Sequence, residues 1–416
     1  MIAAAVIVVP GGRGVSPLTR LGGLSLLKRA VLTAQKAGAT SCYICSDRRP
    51  DELRRDLHDD HRVTSRIIWL SSTDKIIPSL EKISGDQAKP WVVFSTDTIF
   101  HHPLVQEFSH LLPLRQSGLL LDSAGTPSLA LVSTVQIPQL LTELMGGVRW
   151  SETAALTDST LHRPSLSQQF FLRHVTPASR PPVVEHELLL SLENPRDGNV
   201  DTYFNRKLSR PISRWLLRTP LTPNQITVLS CMVGVCGALC FFPGGYWGPL
   251  CGALLLQFSV VLDCCDGEVA RVKFMESPLG DWLDIVCDTV VHIAIFLGIG
   301  VAVWRDGVSH HALALAGILA VGGFLAFPLV TLAEKTEEAG ERRGGWEDRL
   351  IRKLLASLTT RDFSLLVVVS AITGKLLWFL WGAAIGAQVF WLSLAWLLFR
   401  AGRLGRVRQV WERKEI

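Results

Sequence analysis

From residue 226 to residue 400 the chain is a succession of apolar runs, at about 226–243, 247–266, 283–304, 310–333, 363–381 and 383–400. Each approaches the roughly 20 residues a helix needs to cross a bilayer. Backbone exposed to lipid must satisfy its own hydrogen bonds, so runs of this length admit few solutions other than spanning helices. This half is expected to be an all-α membrane domain of six transmembrane helices, with five- and seven-span readings open at the closely spaced pair near Gly382. Charge between the runs is one-sided. The loops after the first and fifth runs carry no Lys or Arg, and the loop after the third has only Arg305. The other side has Arg271, Lys273, Arg342, Arg343, Arg349, Arg352, Lys353 and Arg361, and then Arg403, Arg406, Arg408, Arg413 and Lys414. The positive-inside rule puts that side, with both termini, in the cytoplasm.

The second feature sits at the edge of these runs. Asp263-Cys-Cys-Asp266-Gly267-Glu-Val-Ala270-Arg271 is followed, after eight residues, by Gly280-Asp-Trp-Leu-Asp284-Ile-Val-Cys-Asp288. Helical spacing puts Asp263, Asp266, Gly267, Ala270 and Arg271 on one face, and Gly280, Asp284 and Asp288 on another. Pro278 marks a break between them. The expected picture is two facing helices with four carboxylates pointing into one space. Carboxylates at this depth are costly, repel one another and call for a cation among them. Hard divalent cations take such oxygen ligands, together with substrate phosphates. Gly267, Ala270 and Gly280 leave room for a ligand to approach the backbone. A cation transporter or a scaffold could also carry intramembrane carboxylates. No inverted repeat is visible, however, and neither class accounts for glycines in register with the aspartates.

The pattern D-x2-D-G-x2-A-R-x8-G-x3-D-x3-D resembles the signature of the CDP-alcohol phosphotransferases at every position. The resemblance implies an integral membrane enzyme with six transmembrane helices that transfers a substituted phosphate from a CDP-alcohol to an acceptor hydroxyl and releases CMP. It implies two Mg²⁺ or Mn²⁺ ions held by Asp263, Asp266, Asp284 and Asp288, with Asp288 taking the acceptor's proton, and a homodimer in the plasma membrane. Thr222-Pro223-Asn224-Gln225-Ile226-Thr227 resembles the T-P-N-x-x-T start of the first span in that family, which borders the cytidine site. Arg271 is then expected to pair with the diphosphate or to hold the aspartates. Ser277 either bonds a donor phosphate or serves its turn before Pro278. Arg361 either binds an acceptor phosphate or anchors topology. His292, one turn past Asp288, is expected to be packed, and Lys375 to snorkel from within the fifth span.

The first 190 residues have a different character. Ile2–Val9, Ser41–Cys45, Arg66–Leu70, Trp91–Ser95, Gly118–Asp122 and Leu129–Val132 read as strands. Leu24–Lys36, Pro103–Leu111 and Ile137–Leu144 read as helices between them, which predicts an α/β domain with a mostly parallel, Rossmann-type sheet. The first strand runs into Pro10-Gly11-Gly12-Arg13-Gly14, a turn able to offer N–H groups to phosphate. Phe94-Ser95-Thr96-Asp97 puts a carboxylate at a strand's C-terminal end, the edge where ligands bind. Together these resemble the nucleotidyltransferase fold, in which the first loop binds a triphosphate and an aspartate such as Asp97 binds metal. The lysine that family places before the next helix is missing. Lys28 falls within the helical pattern, where it is expected to face solvent. The domain is therefore expected to keep the fold with weak or no cytidylyltransferase activity, docking at the cytoplasmic face.

The expected layout is residues 1–190 for this domain, 191–221 for a linker and interfacial helix, 222–403 for the membrane domain and 404–416 for a basic tail. The interfacial helix carries Arg206, Lys207, Arg210, Arg214 and Arg218 between Phe204, Leu208, Ile212, Trp215 and Leu216. A formal charge of +5 does not argue for nucleic acid. The nine cysteines suggest no disulfide framework, and Cys42 and Cys45 fall on opposite faces of a strand. The fusion resembles the bifunctional inositol-1-phosphate cytidylyltransferase/di-myo-inositol phosphate phosphate synthase proteins. That favours a CDP-polyol such as CDP-inositol as donor. The alternative is phosphatidyl transfer from CDP-diacylglycerol to a polyol phosphate in phospholipid synthesis.

Overall fold

The computed structural model describes residues 2–10, 14–46, 50–58, 60–70, 89–112, 116–122, 125–145, 148, 152–153, 170–192, 204–338, 350–351, 354 and 363–400. Gly11, Gly12, Arg13, Arg361 and the basic tail lie outside them. Contacts divide the chain into two units, residues 1–192 with 272–274, and 193–271 with 275–416.

The first unit is built on β1 (Ala5–Val8), a strand buried on both faces and rich in β-branched residues. It pairs in parallel with β4 (Ser41–Cys45) and β6 (Trp91–Ser95), and β4 pairs in parallel with β5 (Arg66–Leu70). Antiparallel β9 (Pro127–Val132) and β8 (Gly118–Leu121) complete a six-stranded sheet in the order β5-β4-β1-β6-β9-β8. Helices α1 (Leu26–Lys36), α2 (Pro50–His58) and α3 (His102–Leu111) cover one face, where Ile7 and Cys42 meet Leu27, Leu53 and Phe108. On the other face Val6 and Cys45 meet Ile137 and Leu140 of α4 (Ile137–Met145). Cys42 and Cys45 thus fall into separate cores, as strand alternation requires.

The expected helix from Leu24 begins two residues later. Gly22 and Gly23, at φ +57° and +80°, close a two-residue hairpin between β2 (Arg20–Leu21) and β3 (Leu24–Ser25). Glycine pairs favour that turn because both central residues need positive φ. Ser25 then caps α1, its hydroxyl accepting from Lys28 N at 3.1 Å. Lys28 does not face solvent. Its ammonium lies 3.2 Å from Asp60 and 3.8 Å from Asp56. β7 (Thr98–Phe100) pairs antiparallel with β10 (Leu172–His174), ahead of α5 (Pro181–Ser191).

The second unit begins with α6 (Arg206–Leu216) and continues with α7 (Pro223–Cys240), α8 (Trp247–Lys273), α9 (Pro278–Arg305), α10 (Ala312–Glu338), α11 (Phe363–Ile372) and α12 (Leu376–Arg400). Among the described residues five helices are long and apolar enough to cross a membrane, and α11 adds a shorter apolar helix of 10 residues. α8 is the most buried of the five. α7 packs along α9, α9 along α10, and α10 along α12.

The last two runs divide elsewhere than near Gly382, which lies inside α12. Gly374, at φ +66°, ends α11, with Gly374 N donating to Ala371 O and Lys375 N to Ser370 O. That left-handed glycine closure satisfies two helix-end carbonyls and forces the chain out of the helix. Lys375 accordingly lies in the turn, not deep in a span. α6 exposes Lys207, Leu208 and Trp215, while Arg206, Ser209, Ser213 and Leu216 are buried. Arg206 is thus not one of the helix's interfacial charges.

Candidate active site

The start of α7 is fixed by its own sequence. The Thr222 hydroxyl accepts from Gln225 N at 3.4 Å, and the Gln225 carboxamide accepts from Thr222 N at 3.0 Å. This reciprocal box, with Pro223 in the first turn, satisfies helix-end donors that would otherwise be orphaned. Gln225, expected near the cytidine site, is here a cap. Thr227, one turn on, donates its hydroxyl to Asp266 Oδ2 of α8.

α8 and α9 are joined by a short break, and Ser277 caps α9 by accepting from Gly280 N at 3.1 Å. That is the turn role of Ser277. The cap fixes where α9 begins, and Asp284 and Asp288 follow Gly280 at one and two turns. One carboxylate oxygen from each of Asp263, Asp284 and Asp288 lies within 4.8 Å of the others. Asp263 is buried and the other two are half-buried. Asp266, the fourth aspartate of the pattern, is outside this trio and is held by Thr227. At 4.8 Å and an effective dielectric of about 20, each pair of like charges repels by about 3–4 kcal/mol. A donor set of three carboxylate oxygens at one point suits a hard divalent cation.

Gly267 and Gly280 have a definite use. A Cβ at Gly267 would lie 3.2 Å from an Arg271 guanidinium nitrogen, so Arg271 folds back over Gly267 along α8. A Cβ at Gly280 would lie 3.1 Å from Asn224 Oδ1 and 3.2 Å from Ser277 Oγ. Both gaps hold polar side chains of the chain itself, and Asn224 is thereby brought beside the α9 start. Ala270 is half-buried on the Asp263–Arg271 face. His292 lies against Phe363 at 5.0 Å between ring centroids and against Phe296 at 6.2 Å.

Behind α8 stands a cluster that the sequence reading passed over. Arg206 of α6 is 3.0 Å from Glu268 Oε1, and Ser209 donates to the same oxygen at 2.8 Å. Gln257 donates to Asn205 at 2.7 Å and accepts from Ser364 of α11 at 3.0 Å. The available signal was Glu268 itself, a fifth carboxylate at the edge of an apolar helix, where charge is rarely unassigned.

In the first unit, the strand order reverses between β1 and β6, and ligands of open α/β sheets gather at such a point. Asp97 follows β6, buried, with Oδ1 3.5 Å from His174 Nδ1. Burial pushes its carboxyl above the ordinary range, against the opposing pull of Ser95 and His174. Of the glycine turn, Pro10 and Gly14 are among the described residues.

Residues 220–399 match the family model described as CDP-alcohol phosphatidyltransferase. The chain is similar to a bifunctional IPC transferase and DIPP synthase of Aquifex aeolicus, 35% identical over 129 residues, covering 31% of this chain and 29% of that protein. It is also similar to a phosphatidylinositol phosphate synthase of Mycobacterium tuberculosis, 38% identical over 93 residues, 22% of this chain and 42% of that protein. The crystal structure of the M. tuberculosis synthase with CDP-DAG bound aligns at 27% identity and a TM-score of 0.33, over 46% of this chain and 94% of that one. The chain thus spans less than half the length of these curated relatives.

Proposed function

We propose that the chain, which carries a CDP-alcohol phosphatidyltransferase domain, transfers a substituted phosphate from a CDP-alcohol to an acceptor hydroxyl and releases CMP. The observation that carries this reading is the meeting of Asp263, Asp284 and Asp288 from two helices within that domain. The acceptor oxygen attacks the β-phosphorus of the donor, and the bond to the CMP oxygen breaks. Asp288, last in the array, takes the acceptor's proton. Asp263, Asp284 and Asp288, with Asp266 beside them, are the residues to hold Mg²⁺ or Mn²⁺, two ions by family resemblance. Bound there, such ions neutralise the pyrophosphate and the leaving oxygen. Arg271, beside Gly267 on the same face of α8, pairs with the diphosphate. Asn224 and Gly280 border the cytidine side, and Arg361 serves an acceptor phosphate.

A CDP-polyol is the donor favoured by the likeness to the Aquifex protein. CDP-diacylglycerol with a polyol phosphate is favoured by the likeness to the mycobacterial synthase. Purified protein should release CMP from one donor of a CDP-alcohol panel, with product masses naming the acceptor. Release should stop with a chelator and return with Mn²⁺. Chelator-insensitive release, or none with any donor, would sink the reading.

Six spans, with α11 completing the set, a homodimer in the bilayer and cytoplasmic termini belong to the same proposal. The opposite end of the second unit is tied together by Arg305, which donates to Phe242 O at 2.9 Å, and Asp306, which accepts from Gly245 N at 2.7 Å. Val308→Cys, in a background whose native cysteines do not react, should label from outside intact cells. Labelling only after permeabilisation would reverse the orientation.

For residues 1–190 we propose a nucleotidyltransferase-like fold with weak or no cytidylyltransferase activity. A triphosphate must be neutralised before a nucleophile approaches, largely by cationic side chains and metal. Lys28 is committed to Asp56 and Asp60, and Asp97 faces His174. The chain bearing Asp288→Asn, given CTP, Mg²⁺ and inositol-1-phosphate, should release little pyrophosphate. Robust release that is lost on Asp97→Ala would make this a two-step enzyme.

A further inference from the structure

The carboxylates of the candidate site stand on α8 and α9, so their convergence depends on the rotation of α8 about its own axis. At about 100° per residue, Gln257, Cys264 and Glu268 lie roughly 150° around α8 from Asp263 and Asp266. All three are held from behind by α6 and by Asn205, the residue before it. Arg206 donates to Glu268 Oε1 at 3.0 Å and to Cys264 O at 3.3 Å. Ser209 donates to Glu268 Oε1 at 2.8 Å, and Asn205 accepts from Gln257 at 2.7 Å. Asn205, Arg206, Ser209, Gln257 and Glu268 are all buried.

A buried ion pair is a poor way to gain stability, because desolvation consumes most of its attraction, and apolar residues of similar volume often do as well or better. What hydrogen-bonded charges supply and apolar contacts do not is direction. A turn of α8 by about 20° would carry a carboxylate at about 6 Å from the axis through about 2 Å. That is a large fraction of the 4.8 Å within which the three ligand oxygens lie.

We infer that Arg206, Ser209 and Glu268 are positioning residues that fix the rotation of α8 and thereby the carboxylate geometry. The helix preceding the first span is then part of the catalytic framework as well as a surface element. The inference rests on the carboxylates being a metal site, and its test reads metal binding apart from turnover.

The test is Mn²⁺ titration of the purified full-length protein by electron paramagnetic resonance, alongside thermal unfolding and CMP release. Glu268→Gln and the double variant Arg206→Met/Glu268→Leu are compared with wild type, and Asp263→Asn serves as the reference for a lost ligand. The double variant should unfold at or above the wild-type temperature yet bind Mn²⁺ about tenfold more weakly, the range seen when residues that orient metal ligands are changed. Its kcat should fall while KM for the donor changes little. Glu268→Gln, which keeps volume and an acceptor, should fall between the two and remain folded. Wild-type Mn²⁺ affinity in both variants would overturn the inference, as would affinity losses that merely follow unfolding temperature. If wild type binds Mn²⁺ but releases no CMP, the transferase reading fails while the affinities still decide the positioning role.

Discussion

Asp288→Asn should lower turnover by at least about 100-fold, the ordinary contribution of a positioned general base. The substitution is nearly isosteric and keeps one side-chain oxygen pointed at the trio. What it removes is the negative charge and the ability to accept a proton. Asp263→Asn offers the contrast. Asp263 is the buried member of the trio, so its loss should show first as a higher Mn²⁺ concentration for half-maximal rate. If Asp288→Asn instead retains its rate at saturating Mn²⁺, Asp288 is only a ligand and the base lies elsewhere. Raising the pH separates the two roles further. A rate limited by a missing base should recover partly as the acceptor hydroxyl ionises, whereas a missing ligand is insensitive to that change. The measurement is initial rate of CMP release against Mn²⁺ and pH for both variants.

The convergence of Asp263, Asp284 and Asp288 was legible because it is carried by helical spacing, whereas Asp266, expected in the same space, is tied to Thr227 instead. Asp284 and Asp288 at i and i+4 share a face whatever surrounds them. The break between α8 and α9 was equally local, since Pro278 and the Ser277 cap announce it. The sheet was legible for a similar reason, its strands being buried runs of β-branched and aromatic residues with polar breaks. The Arg206–Glu268 pair was not legible. Arg206 in its own segment reads as one cation of an amphipathic helix, and only a contact 62 positions away turns it inward. Likewise Gly374 and Gly382 look alike in sequence. Only the first has the positive φ and the backbone bonds that end a helix. Lys28 was misread because its partners, Asp56 and Asp60, come from a later segment of the chain.

Gly298→Val should cost about 3 kcal/mol or more of stability, at or beyond the usual upper end for overpacking a core. A Cβ at Gly298 of α9 would lie 2.7 Å from the Ala238 carbonyl oxygen of α7 and 3.2 Å from Phe241 Cβ. The nearer atom is backbone, so no rotamer change relieves the clash and the helices must separate. In lipid no hydrophobic force returns them, because association there depends on close packing between small residues. The separation would reach the candidate site. α7 carries Thr227, which holds Asp266, and α9 carries Asp284 and Asp288. Mn²⁺ affinity should therefore weaken even in the fraction that remains folded. Gly298→Ala should fall between, since it adds the clashing Cβ without valine's branches. Gly317→Ala on α10 is the control, with nothing within 4 Å of its would-be Cβ. It should leave unfolding temperature and Mn²⁺ binding unchanged. Equal thermal stability of Gly298→Val and wild type in detergent and in lipid discs would mean that α7 and α9 are not in contact at this level.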